Sequence, residues 1–241
     1  MPNREEIIKT QIPWEYLDGF VDFLGCKIDL SEKTFIPRPE TEFWVEKAIR
    51  QLKTQNTKIK TKNKKLKTNN RQLTILDAFA GSGCIGIAVL KNCSKFCRRV
   101  DFTDVSEKSL KQIKINLGKN RISKRKYRVF KSDIFKNVRG SYDYIFANPP
   151  YVAKSRLKEV SKSVLKYEPR QALLAGINGL FYIEKLLITA KKFLKENGII
   201  YLEFDPLQKG KIKRILKKYQ YSKFNFYKDQ FGKYRWAKIT P

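Results

Sequence analysis

The run Asn148-Pro149-Pro150-Tyr151 carries the most specific chemistry in the chain. Asn148 offers a side-chain amide oxygen just after an apolar stretch. Two prolines remove two backbone N–H donors and stiffen the turn, while their carbonyls remain as fixed acceptors. Tyr151 adds a flat aromatic face. Two acceptors close together suit a planar NH2 group, whose delocalised lone pair makes it a poor nucleophile. The Asn148 side-chain oxygen and the Pro149 carbonyl can hold both N–H hydrogens. The lone pair is then aimed at an electrophilic methyl and the nitrogen becomes more tetrahedral. Tyr151 can pack on the planar group. Such a transfer runs on orientation and fixed dipoles. The methylated nitrogen is cationic and acidic, so no strong base is needed. The structural alternative is a rigid strand-to-loop turn.

A second cluster lies upstream. Asp77 closes an apolar run and is followed by Ala78, Phe79, Ala80, Gly81, Ser82, Gly83 and, three residues on, Gly86. Glycines let a backbone turn sharply and approach a ligand closely. Asp104 ends the next apolar run, where a carboxylate can accept from ribose hydroxyls. Asp133, one run later, is placed for an adenine ring. Gly81-x-Gly83-x-x-Gly86 also fits a dinucleotide fingerprint, with Asp104 about 20 residues on. A tight strand–helix turn without a ligand is the third reading. Two details favour S-adenosylmethionine over a nicotinamide dinucleotide. Asp77 stands where it can hold an ammonium group or order the loop, and Asn148–Tyr151 follows the fourth run.

These residues need elements to position them. Leu73–Asp77, Val100–Thr103, Tyr127–Phe130, Tyr142–Ala147 and Ile199–Phe204 read as strands. Cys84–Lys91, Glu107–Leu117, Gly179–Leu194 and Leu207–Lys218 read as helices between or after them. Two final strands are expected at 223–227 and 234–239. Strand–helix alternation predicts an α/β fold with a doubly wound, mostly parallel sheet. Gln11–Leu30 reads as turns and a hairpin around Asp18-Gly19 and Gly25. Pro37 and Pro39 keep the next stretch extended, and a helix is expected from Glu40 through Phe43, Trp44, Ala48, Ile49 and Leu52. Lys53–Arg71 is almost all Lys, Thr, Asn and Gln, and reads as a mobile basic linker. The expected layout is a short N-terminal extension over 1–35 and one catalytic domain over 36–241, with the linker at 53–71.

The chain has 241 residues, 52 Lys and Arg, 23 Asp and Glu, and a net charge of +29. That charge suits a ribosome or RNA contact; solvated surfaces explain it equally. Met1–Thr10 is charged and lacks an apolar core, and no run approaches a membrane span, so a cytoplasmic protein with no membrane role is expected. The sequence contains no histidine, which removes imidazole bases and His-ligated metals. Cys93 and Cys97 stand as one pair without a second, so no metal is expected.

The sequence resembles the HemK/PrmC family of class I methyltransferases, which methylate the glutamine of the Gly-Gly-Gln motif in peptide-chain release factors. Asn148–Tyr151 alone does not carry this, since adenine methyltransferases share it. The specific pieces are Ile36-Pro-Arg-Pro-Glu-Thr-Glu42 and Tyr167-Glu168-Pro169-Arg170-Gln-Ala-Leu173, with Gly176 and Gly179-Leu180. Glu203 with Gln208, and Asp229 with Gly232 and Arg235, match further downstream. The resemblance implies a seven-stranded Rossmann-like sheet and S-adenosylmethionine as cofactor. It implies that Phe79–Gly83 hold the methionine part, Asp104 the ribose, and Asp133 and Ile134 the adenine. Arg38 to Thr41 would close over the cofactor, and Asn148–Tyr151 would hold the glutamine amide. Phe79 stands where the family usually has glycine. Most members carry an N-terminal helical domain, and only a few dozen residues precede Pro37 here, so most of that domain is expected to be missing. Core-only members exist and some act with a small partner protein. The competing expectations are methylation of a nucleic-acid base (adenine or rRNA guanine) and a non-enzymatic module that keeps the fold.

Overall fold

The computed structural model describes residues 11–62 and 72–241. Its first element is a short helix, α1 (Trp14–Asp18), ended by Gly19 in the left-handed conformation. Strands β1 (Phe20–Phe23) and β2 (Cys26–Asp29) then pair antiparallel. Leu24 and Gly25 turn between them with φ of 48° and 78°, the left-handed pair that a tight hairpin demands. The expected hairpin is therefore present.

Helix α2 (Pro39–Lys62) begins at a proline and carries Glu40 and Glu42 in its first turn, where the helix dipole favours them. Trp44, Val45, Ala48, Ile49 and Leu52 form its buried stripe. The linker expected from Lys53 is helical as far as Lys62, and 63–71 lies outside the described residues, as does the Met1–Thr10 stretch. The reason for the extension is tertiary. Gln51 accepts from the Tyr201 hydroxyl at 2.9 Å and Gln55 from the Tyr144 hydroxyl at 2.7 Å. Gln51 and Gln55 thus face the sheet and satisfy two of its tyrosines.

The rest alternates. Strand β3 (Leu73–Ala78) leads to α3 (Cys84–Asn92), β4 (Cys97–Asp104), α4 (Glu107–Lys119), β5 (Tyr127–Lys131) and β6 (Tyr142–Ala147). After a loop region with short helices α5 (Lys162–Tyr167) and α6 (Arg170–Leu173) come α7 (Phe181–Thr189), β7 (Leu194–Glu203), α8 (Lys209–Lys218), β8 (Lys223–Lys228) and β9 (Tyr234–Thr240). The sheet has seven strands in the order β5-β4-β3-β6-β7-β9-β8. Only β9 runs against its neighbours. The expected helix over 179–194 is shorter, because Gly179 takes φ 69° and 190–193 tightens to a 3₁₀ turn.

Two apolar layers cover the sheet. One joins α2, α3, α4 and the hairpin to β3 and β4; the other joins α7 and α8 to β6, β7 and β9. The hairpin is strapped on by amides: Asn116 accepts from Asp29 N at 2.8 Å and donates to the Ser82 carbonyl at 2.9 Å. Asn92 and Asn120 donate to Leu24 and Lys27 carbonyls. No helix among the described residues is long and apolar enough to cross a membrane.

Gly86 lets α3 lie directly on the sheet. A Cβ there would sit 2.3 Å from the Phe102 ring and 2.9 Å from Val100. Gly86→Ala is expected to cost about 1–3 kcal/mol through overpacking, outweighing the better helix propensity of alanine. Urea unfolding should show a lower midpoint at unchanged slope; an unchanged midpoint would refute the tight contact.

Candidate active site

The order of strands reverses between β3 and β6, and ligand crevices in open α/β sheets form at such points. Ala78 of β3 is the register partner of Ala147 of β6. The glycine bend and the Asn148–Tyr151 turn therefore leave the sheet from adjoining strand ends, about 5 Å apart. Both face one cavity of about 940 Å³. Arg38, Thr41, Phe79, Ala80, Gly81, Ser82, Asp104, Asp133, Ile134, Asn148, Pro149, Pro150 and Tyr151 all line it.

Asp77 and Gly83 do not. Asp77 is fully buried beneath the loop, where its Oδ2 accepts from Gly86 N at 2.8 Å. It thereby ties the end of β3 to the first turn of α3. Its Oδ1 is buried without a partner. Burial pushes this carboxyl up to about 8, against the lowering bond from Gly86. Gly83 packs behind the loop, with Ile113 in contact range of an added Cβ.

Gly81 has φ 56° and open space where a Cβ would be. Its N–H donates to Asp104 Oδ2 at 2.9 Å, while Oδ1 takes Ser106 N at 2.9 Å. A carboxylate offers about four acceptor sites, so Asp104 keeps capacity for hydroxyl donors from the cavity. Burial raises its proton affinity, opposed by the Ser106 and Gly81 N–H groups. Asp133 is paired with Lys185 of α7 at 2.6 Å. Phe79 and Ile134 hold left-handed φ of 60° and 52°. This costs non-glycine residues about 1–2 kcal/mol each. Phe79 meets Tyr182 edge-on, with centroids 5.9 Å apart.

On the other wall, Asn148 Nδ2 donates to Thr41 Oγ1 at 3.4 Å. Thr41 and Trp44 donate to Glu203 Oε2 at 2.8 and 2.6 Å, and Tyr151 donates to Oε1 at 3.3 Å. Burial raises the Glu203 carboxyl against the lowering donors Trp44 and Thr41. Burial and the adjoining Glu203 keep the Tyr151 phenol neutral. Among the described residues, none donates to Asn148 Oδ1 or to the Pro149 carbonyl. The two acceptors expected for a planar NH2 group are thus both available.

The family-specific segments pack around this turn. Val152 N donates to Leu173 O and Ala175 N to Val152 O, pinning 173–176 beside it. Arg38 pairs with the buried Glu168, whose Oε2 also accepts from Ile36 N. Gly179 is confined: an added Cβ would lie 2.2 Å from the Tyr151 carbonyl and 2.5 Å from Gln208 Nε2. Gln208 itself donates to the Tyr151 and Gly179 carbonyls at 2.9 and 3.0 Å. Tyr182 and Lys185 carry no short-motif signal, and Trp44 reads in the sequence only as part of an apolar helix face. Glu203 is marked by the family resemblance, which gives it no role.

The chain is similar to several known proteins. Residues 62–176 match the methyltransferase small domain. The release factor glutamine methyltransferase of Flavobacterium psychrophilum is 33% identical over 237 residues, 97% of this chain and 77% of that protein. That of Streptococcus pneumoniae is 34% identical over 226 residues, 92% of this chain and 73% of that protein. In fold, the crystal structure of a methyltransferase from Pyrococcus furiosus superposes with a TM-score of 0.60 at 20% identity, covering 99% and 98% of the two chains.

The buried Asp77 gives a pH signature. An exposed aspartate titrates near about 3.9, so the folded chain keeps this proton to higher pH than the unfolded one. Its contribution to stability is full in acid and is lost as pH rises towards about 8. Asp77→Asn keeps an oxygen for the Gly86 N–H and removes the titration. Its unfolding free energy should fall less than that of the wild type between about pH 5 and about pH 8. Urea melts at each pH measure this, and parallel curves would show a carboxylate charged throughout.

Proposed function

Because the chain belongs to the release factor glutamine methyltransferases, we propose that its cavity is where S-adenosylmethionine meets the glutamine side chain of a release factor, held by Asn148–Tyr151. The enzyme is an S-adenosylmethionine-dependent protein-glutamine methyltransferase. The observation that carries the site assignment is the pair of unengaged acceptors, Asn148 Oδ1 and the Pro149 carbonyl, one strand away from the glycine bend.

The cavity residues fit the cofactor. Gly81 leaves open space beside the loop, Asp104 has spare acceptor sites for ribose hydroxyls, and Ile134 supplies an apolar wall for adenine. The cofactor, when bound, supplies a methyl group made electrophilic by its sulfonium. The protein's part is placement. Asn148 Oδ1 and the Pro149 carbonyl accept the two N–H hydrogens of the glutamine amide and turn its lone pair out of conjugation. Tyr151, neutral and tethered to Glu203, presents its ring to the flat amide. The nitrogen that receives the methyl would be acidic and would release one proton to water, so none of these residues has to act as a strong base. Fixed dipoles at the transition state carry most of such catalysis.

The target within the release factor is the glutamine of its Gly-Gly-Gln loop, whose flanking glycines let a slender side chain enter the cavity. The cytoplasm, where release factors act, is the location that this substrate implies. The basic surface suits a ribosome or RNA contact, and a small partner protein would supply further docking area.

The purified chain, mixed with a release factor and S-adenosylmethionine labelled on the methyl, should transfer one methyl to the loop glutamine, read by mass spectrometry of the peptide. Asn148→Ala should slow transfer by about a hundredfold, the scale of a lost transition-state contact. Label entering RNA or DNA and not protein would overturn the assignment in favour of base methylation.

A further inference from the structure

Glu203 ends β7 and is only 1% exposed. The transfer chemistry gives it no direct part, yet three donors converge on it, two from α2 and one from the Asn148–Tyr151 turn. An indole N–H only donates, so Trp44 fixes Oε2 as an acceptor. The Thr41 hydroxyl spends its single proton on the same oxygen. Thr41 Oγ1 is then left as an acceptor, and Asn148 must turn its NH2 towards it. A flipped amide would set two oxygens face to face. It would also offer NH2 to the substrate's own NH2. The order of donors therefore decides which end of Asn148 meets the cavity. Protonation of Glu203 keeps that order, because its proton would sit on Oε1, facing Tyr151.

We propose that Glu203, acting through Thr41 on Asn148 and directly on Tyr151, is the positioning residue that presents the Asn148 oxygen to the substrate amide. The inference rests on the reading that this oxygen holds the glutamine. It recasts Thr41 as a link to the acceptor side of the cavity. The 3.4 Å contact from Asn148 to Thr41 is long, as such bonds often are before substrate tightens them.

The test uses the full chain, a release factor as methyl acceptor, steady-state kinetics, and calorimetric affinity for S-adenosylhomocysteine. Thr41→Val keeps the side-chain volume and deletes the hydroxyl. Its kcat should fall about tenfold, which corresponds to about 1.4 kcal/mol. The KM for release factor and the Kd for S-adenosylhomocysteine should stay within about twofold, since uniform binding is untouched. Thr41→Ser should recover kcat to within about threefold. Glu203→Gln still offers one oxygen to Trp44 and Thr41 and should behave like Thr41→Ser. Glu203→Leu should lose more than about tenfold in kcat; if it does not fold, the Val and Ser pair at Thr41 decides. A wild-type kcat in Thr41→Val overturns the proposal, as does a Ser variant as slow as the Val variant. So does a weakened Kd at unchanged kcat, which would return Thr41 to the cofactor. Asn148→Ala separates the two ideas: if it is as active as wild type, the amide-holding reading itself fails. If it is inactive while Thr41→Val is not, only the positioning role fails.

Discussion

Parallel pairing of Ala78 with Ala147 at the centre of the sheet is the constraint on which the site depends. It places two loops that are distant in sequence at neighbouring strand ends. One is a glycine bend that can approach a cofactor. The other is a proline-stiffened turn with free acceptors. A slip of one residue would move every side chain of β6 to the opposite face, and β6 is buried along its whole length. With both faces buried, polar contacts mark the register: Asp143 accepts from Thr74 N of β3 and pairs with Lys195 of β7, and the register sets which loops adjoin.

The same edge of the sheet gathers buried carboxylates. Asp77, Glu168 and Glu203 are each under 5% exposed, where an unpaired charge is costly. Each is met by donors from a different part of the chain: Gly86 for Asp77, Arg38 and Ile36 for Glu168, Thr41, Trp44 and Tyr151 for Glu203. The donors for Glu168 and Glu203 include residues from the Ile36–Glu42 segment and the helix it opens. That segment is thus bound to the sheet edge by polar contacts, while the apolar stripe of α2 holds it from behind. Strain concentrates here too. Phe79 and Ile134, both non-glycine in the left-handed region, flank the cavity, and such outliers persist only where packing and hydrogen bonds over-determine them. Phe79 has the Tyr182 contact and an adjoining Ala80–Thr103 bond; Ile134 has its carbonyl held by Ser132.

Much of this was legible from residues alone. Strands and helices followed from apolar periodicity, because a parallel sheet buried on both faces demands near-continuous apolar runs. Asp104, Asn148 and the glycines followed from short motifs, since close backbone approach and rigid acceptors need particular residue types at particular spacings. The placement of Arg38 beside the site came through resemblance. The extent of α2 did not follow, because its last turns carry no apolar stripe.

What the sequence determined by itself was local: where the chain bends, where it alternates, and which side chains can accept a hydrogen bond. Tertiary structure decided everything set by partners far along the chain. Gln55, in a stretch that reads as linker, is helical and accepts from the Tyr144 hydroxyl of β6. Asp77 turns out to brace the loop from behind rather than line the cavity. Glu203, 55 residues beyond Asn148, governs the amide's direction through Thr41. The physical reason is that hydrogen-bond direction belongs to a network, and a network closes only when the chain has folded.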